Sequence, residues 1–221
     1  MLRSIAAKLP AQLQQELKRL HFRRQIRQGS FLGAEPEYDQ LAEWVKPGDW
    51  VIDVGANVGH YTLRLSELVG KQGRVIAFEP IPATFEVLAA NVAASESQNV
   101  TLINAAVSKA TSLANMTVPK FDSGLDNYYE AHLDDSRPGL SVLCLAVDSL
   151  NLKAPVKLVK IDAEGHEPIV LQGMLDLIER DRPVLIIEGV SDEVARCLEP
   201  FGYTAYRLTA TSPNTVFKAA R

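Results

Sequence analysis

The 221-residue chain is poor in cysteine, with only Cys144 and Cys197. Two are too few to staple a small secreted module, so both are expected to be reduced and buried. No run approaches the roughly 20 apolar residues that cross a bilayer, which argues against a spanning helix. The start, Met1 to Pro10, lacks the apolar stretch of a secretory signal, and the expectation is a cytoplasmic location. Excess positive charge is missing too: the net is −4, which speaks against general binding to nucleic acid. What is present is 47% hydrophobic and 23% charged residues, enough apolar material for a sizeable core and for one folded body.

The charge is unevenly spread. Residues 1–29 carry Arg3, Lys8, Lys18, Arg19, Arg23, Arg24 and Arg27 against Glu16 alone, a segment of +6 that leaves −10 for the rest. Within it Leu2, Ile5, Leu9, Leu13, Leu17 and Leu20 recur every three or four residues, the spacing of an amphipathic helix broken near Pro10. Most such helices bury the apolar face on their own domain. The basic charge also suits a membrane surface or another partner, giving a possible peripheral membrane contact with no transmembrane segment. The expected division is a helical extension over residues 1–45 packing on a core of residues 46–221.

From Lys46 onward short β-rich runs alternate with helical ones. WVIDV (50–54), RVIAF (74–78), VTLI (100–103), VKLVKI (156–161) and PVLII (183–187) predict buried strands, with helices near 59–69, 82–95 and 167–180. Near-continuous apolar strands between helices predict an α/β fold, a parallel sheet covered on both faces. Residues 105–155 depart from this rhythm, with two further strands at 113–118 and 140–147 around a polar loop. After a helix over 191–199, runs at 203–208 and 215–218 flank Thr211, Ser212, Pro213 and Asn214, a turn that predicts a terminal strand pair.

The strongest local signal is Asp53-Val54-Gly55-Ala56-Asn57-Val58-Gly59, where a strand passes into a helix. Small residues there let the backbone approach a ligand, and the helix N-terminus adds N–H donors. A dinucleotide fingerprint would need glycine at 57 and 60, which are Asn and His, so NAD fits poorly. Glu79 closes the second strand, where a carboxylate can accept both hydroxyls of an adenosine ribose. The pair points toward S-adenosylmethionine; the alternatives are a tight turn and a solvated strand end.

These residues also carry a family resemblance. VIDVGANVGHYT (51–62), GRVIAFEP (73–80), NVTLINAAVS (99–108), VKIDAEGHE (159–167), VLQGM (170–174) and RPVLIIE (182–188) closely resemble the FkbM-type S-adenosylmethionine-dependent methyltransferases. VDSL (147–150) is similar to the Leu-Asp segment of the family, with Val in place of Leu, while residues 1–30 and 119–138 carry no match, and substrate choice is expected there. The resemblance implies a class I Rossmann-like sheet of seven mostly parallel strands, the last antiparallel. It further implies that Asp53, Gly55, Asn57 and Gly59 line the methionine end, Glu79 holds the ribose, and Asn104 or its neighbours lie near the adenine. Tyr61 and Thr62 would touch the carboxylate end, and Glu35, in FLGAEPE, matches a segment that precedes the first strand.

Asp162, Glu164, His166 and Glu167 gather where the fourth strand should end, and Glu188 ends its neighbour. A hydroxyl attacking a sulfonium methyl benefits from a base, and Asp162 is the first choice, with Glu164 and His166 as further catalytic candidates. Glu167 reads equally well as a first-turn acid complementing the helix dipole. The spacing of Asp162, Glu164 and His166 permits a divalent ion such as Mg²⁺ without establishing one. The Asp/Asn-Pro-Pro-Tyr run of amino-group enzymes is absent, as is the Pro-Cys nucleophile of cytosine C5 enzymes. These absences speak against nucleic-acid substrates; it is the resemblance alone that implies an O-methyltransferase acting on a small-molecule or glycan hydroxyl, on a sugar or polyketide-type metabolite. A small-molecule N-methyltransferase and a cofactor-binding scaffold without turnover stay open.

Overall fold

The computed structural model describes residues 9–95, 98–134 and 136–220. Its centre is a seven-stranded sheet built from β1 (Trp50–Val54), β2 (Arg74–Phe78), β3 (Val100–Ile103), β8 (Val156–Ile161), β9 (Val184–Glu188), β10 (Tyr203–Tyr206) and β11 (Asn214–Ala219). The order is β10-β11-β9-β8-β1-β2-β3, parallel from β9 to β3, with β11 antiparallel to both of its neighbours. From β1 the chain builds outward to β3, then returns to lay β8 on the other side of β1. That reversal makes the β1/β8 boundary the switch point at which such sheets take ligands.

The near-continuous apolar strands are explained by cover on both faces. Ile52, Val54, Ile76, Phe78, Val159, Ile161, Leu185 and Ile187 pack with residues of α5 (Glu167–Gln172), α6 (Leu175–Asp181) and α7 (Asp192–Leu198). On the opposite face Val51, Val75, Leu158 and Ile186 meet Tyr38 and Leu41 of α2 (Pro36–Trp44) and Tyr61, Leu65 and Val69 of α3 (His60–Val69). α4 (Pro82–Ala94) covers Ala77 on that same side through Val87 and Leu88. The helix expected over 167–180 is two helices. Gly173 separates them because the chain there crosses so close to Ser108 that a Cβ would sit 2.0 Å from its carbonyl oxygen.

Residues 106–145 form a separate four-stranded sheet, ordered β4 (Ala106–Val107), β7 (Leu140–Leu145), β5 (Ser112–Thr117), β6 (His132–Leu133). Met116, Ala131, Val142 and Cys144 pack there with Ile81, placing this sheet against the carboxyl edge of the main one. Cys144 is buried and Cys197 only half-buried, and the two are not joined as a disulfide.

The N-terminal helix, α1 (Ala11–Arg27), follows Pro10 and lies against α4. Gln15 donates to the Ala83 carbonyl (2.7 Å), Arg19 pairs with Glu86 (3.0 Å), and Phe22 and Ile26 enter the cluster around Phe31, Val58 and Val87. The leucine stripe, expected to face the domain, turns the other way: Leu13, Leu17 and Leu20 are 46%, 45% and 62% exposed. Phe22 and Ile26, not the leucines, supply the apolar contact with the body. Leu2 and Ile5 of the expected stripe lie outside the described residues.

Candidate active site

The turn after β1 is held open by its glycines. Gly55 (φ 74), Asn57 (φ 49) and Gly59 (φ 99) all adopt left-handed backbone. At Gly55 a side chain is impossible as well as strained: a Cβ would lie 1.8 Å from the carbonyl oxygen of Asp162. The N–H groups of Gly55 and Ala56 both donate to the Phe78 carbonyl (3.0 and 2.9 Å), and the Asp162 N–H to that of Val54 (3.1 Å). The loops after β1, β2 and β8 are thereby laced together at one edge.

Glu79 is buried at the end of β2 and accepts from the backbone N–H of Asn57 through Oε2 and of Ile81 through Oε1, both at 2.9 Å. Burial pushes this carboxyl up to about 7 against the pull of those two bonds. Beside it opens a cleft with about 660 Å³ of empty space, its open mouth included. Gly55, Asn57, Glu79, Asp162, Glu164 and His166 line it, with Ile81, Ala105, Ala106, Val107 and Met116 forming an apolar wall and Tyr128, Ala131 and Leu133 closing another side.

The loop Asp162-Ala163-Glu164-Gly165 is shaped by a residue read from sequence as equally a dipole partner. Glu167 is buried, and its Oε1 accepts from the N–H of Ala163 (3.1 Å) and of Gly165 (3.0 Å), with Glu164 (φ 49) and Gly165 (φ 93) in left-handed conformations. Glu164 is pushed up to about 7, by partial burial first and then by Asp162 and Glu167. His166 lies 3.1 Å from Ser108 Oγ through Nε2, and burial holds it below the usual imidazole range. Among the described residues no three His, Cys, Asp or Glu side chains gather as a cation site, so the divalent ion that the spacing permitted finds no ligand set.

The other sequence candidates stand outside the cleft lining. Asp53 is buried beneath it, accepts from Thr62 Oγ1 at 2.5 Å, and is raised to about 6 by burial. Thr62 thus anchors the start of α3 to β1. Tyr61 is also buried, its hydroxyl without a hydrogen-bond partner and its ring edge-on to Tyr38 at 5.6 Å. Gly59 faces Leu88, whose Cδ1 would be 2.7 Å from an added Cβ. Glu35 stands at the N-cap of α2 without capping it. Asn104 is exposed and donates to the Glu79 and Pro80 carbonyls (2.8 and 3.1 Å), and it is its neighbours Ala105–Val107 that reach the cleft.

Two buried charges escaped the sequence reading. Glu37, fully buried, accepts from Ser212 Oγ (2.8 Å) and Asn214 Nδ2 (3.2 Å), tying α2 to the terminal strand pair. Lys160, 3% exposed, has its Nζ 3.7 Å from both Asp162 Oδ2 and Glu188 Oε2. A lysine inside a strand predicted to be buried on both faces was the available signal for it.

A second, larger cleft, about 1830 Å³ with its open space, lies between α1, α4 and the loop 119–127. It shares Asn57 and Tyr128 with the first, and Gln14, Gln15, Lys18, Phe22, Lys120 and Phe121 are among its walls.

Comparison with known proteins gives a match to the Methyltransferase FkbM domain over residues 53–199. No curated protein matches. Among solved structures the chain is similar to a methyltransferase FkbM from Methylobacillus flagellatus KT, 16% identical, TM-score 0.54, over 83% of this chain and 50% of that one. It therefore spans about half the length of that relative. A candidate rRNA methylase from Clostridium thermocellum is 16% identical with a TM-score of 0.53, covering 83% and 93%. A SAM-dependent O-methyltransferase from Thermotoga maritima is 14% identical with a TM-score of 0.51, covering 86% and 68%. At these identities the likeness is one of fold.

Proposed function

Because the chain belongs to the methyltransferase FkbM family, we propose that this methyltransferase moves a methyl group from S-adenosylmethionine to a hydroxyl of a sugar, glycan or polyketide-type metabolite. The observation that carries the reading is that Glu79 and Asp162, on opposite sides of the Gly55 turn, line one cleft at the switch point of the sheet. The residues fit an adenosine cofactor. Each Glu79 oxygen accepts one backbone N–H and retains a second lone pair for a ribose hydroxyl, while Ile81, Ala105–Val107 and Met116 offer an apolar slot for a flat base. When bound, S-adenosylmethionine supplies an electrophilic methyl group on a positively charged sulfur.

The chain's own part is to orient the acceptor and take its proton. An alcohol is far too weak an acid to ionise at neutral pH, so Asp162 accepts the hydroxyl proton through a carboxylate oxygen as the oxygen becomes a nucleophile. Glu167 fixes the loop that carries Asp162, and the small sheet, through Tyr128, Ala131 and Leu133, shields the cleft from water. Gln14, Gln15, Lys18 and Phe22, and residues 120–126 with Tyr128, belong to the two segments without a family match and line the second cleft, which supports a role for it in holding the rest of the acceptor. Calorimetry with S-adenosylhomocysteine tests the reading. The protein should bind it and Glu79→Ala should weaken it at least tenfold, whereas no binding by the unmodified protein would discard the cofactor assignment. Methyl transfer to a panel of sugars, natural-product alcohols, amines and RNA identifies the acceptor class; transfer to RNA or amines alone overturns the hydroxyl reading.

The outward stripe of α1 supports a peripheral contact with an anionic membrane surface. Leu13, Leu17 and Leu20 are exposed beside exposed Arg23, Arg24 and Arg27, the combination of apolar and cationic groups that suits acidic lipid headgroups. Sedimentation with phosphatidylserine-containing vesicles should retain the protein and Leu17→Glu should release it; equal recovery with purely zwitterionic vesicles, or none with either, discards the contact.

A further inference from the structure

The Lys160 ammonium is set where it should be costly. Its side chain is 4% exposed, and its nearest hydrogen-bond acceptor is the Ile161 carbonyl at 3.5 Å. A buried cation is tolerated only when neighbouring charge compensates it, and an apolar side chain of similar length would fill the same space without that need. Compensation comes from three strands. Asp53 is its register partner on β1, Asp162 follows two residues on, just past the end of β8, and Glu188 ends β9, while the Tyr61 ring of α3 lies over the ammonium at 5.4 Å. Glu164 bears in turn on Glu188, and Glu35 and Glu37 on Tyr61.

We propose that Lys160 is a positioning residue: from beneath the cleft it holds the Asp162 and Glu188 carboxylates in place and offsets their charge, so that the site does not trap a cationic ligand as a fixed ion pair. This rests on the reading of the cleft as an S-adenosylmethionine site. Asp162 reaches the cleft and Lys160 does not, so the lysine acts through its partner. With the ammonium in place, the site distinguishes the positively charged methyl donor from its neutral thioether product less by charge than an all-acidic pocket would. Asp162 then stays available to the acceptor. Glu188 is pushed up to about 7 by burial first and then by Asp162, against the pull of Lys160.

The ratio of affinities for S-adenosylmethionine and S-adenosylhomocysteine, measured by calorimetry at pH 8.5, tests the proposal without any acceptor. Lys160→Met should shift the ratio toward the cation by on the order of tenfold, since one unit charge is removed from a partly buried site. Lys160→Arg, which keeps the charge, should restore the unmodified ratio. Glu188→Gln should shift it the other way. A Lys160→Met protein that binds both ligands with the original ratio overturns the proposal and leaves the cofactor assignment standing. If that variant does not fold, an unchanged ratio in Glu188→Gln overturns it equally. An unmodified protein that binds neither ligand ends the cofactor assignment and this proposal together.

Discussion

Gly55 and Asp162 touch through their backbones: the α-carbon of the glycine sits so close that a Cβ would fall 1.8 Å from the carbonyl oxygen of the aspartate. This contact ties the turn after β1 to the loop after β8, and it cannot be kept by any other residue. Gly55→Ala must both relieve that overlap and adopt φ 74. The expected cost is about 2–4 kcal/mol of stability with loss of ligand binding, read by denaturant unfolding and by S-adenosylhomocysteine titration of the remaining folded protein.

Glu79 should make stability and cofactor binding respond to pH in opposite directions. Its native pKa of about 7 lies above the ordinary 4.5, so the folded protein holds a proton that the unfolded chain has released. That contribution is present below about pH 4.5 and is lost as pH rises toward 7, on the order of 3 kcal/mol at most. A ribose hydroxyl donates best to the ionised carboxylate, so affinity for S-adenosylhomocysteine should rise over the same interval. Glu79→Gln should reduce the slope of both trends in thermal melts and calorimetry between pH 5 and 8, leaving in the melts the part that Asp53, Glu164 and Glu188, raised into the same range, contribute.

The loop carrying Asp162 separates chemistry from support. Asp162→Asn should lower kcat by about 10²–10⁴ with little change in affinity for S-adenosylhomocysteine, whose thioether carries no charge, because it removes the proton acceptor. Glu167→Ala, which leaves the N–H groups of Ala163 and Gly165 without their acceptor, should lower both kcat and affinity, and Glu167→Gln should recover part of each. Steady-state kinetics beside calorimetry distinguishes the two patterns.

Glu37 should matter to folding although it lies far from the cleft in sequence. Glu37→Ala strands Ser212 and Asn214 in a buried setting, at an expected cost of about 2–4 kcal/mol. Unfolding of the variant in denaturant checks this.

Much of the architecture was legible because a parallel strand buried on both faces is apolar at nearly every position, as in VIAF (75–78) and LII (185–187). The glycine turn was legible because positive φ at Gly55 and Gly59 restricts the residue type. Other features depend on partners distant in sequence. Gly173 breaks a helix only because Ser108 crosses it, and the direction of the Leu13, Leu17 and Leu20 stripe was settled by Phe22, Gln15 and Arg19 meeting α4. Asn104, expected near the base together with its neighbours, uses its Nδ2 to donate to the Glu79 and Pro80 carbonyls, partners that its own position in the sequence does not reveal. Glu37 and Lys160 resemble surface charges until α2, α3 and the terminal strands close over them.

The return of the chain to lay β8 beside β1 has a consequence for synthesis. A nascent chain that has emerged only as far as residue 155 already contains the glycine turn and Glu79, but β1 still lacks its inner neighbour and Asp162 does not yet exist. The two walls of the cleft therefore meet only when β8 makes its pairing with β1, a late event for a contact so distant along the chain. A ligand that needs both walls recognises completion itself, and its binding stabilises the finished molecule alone.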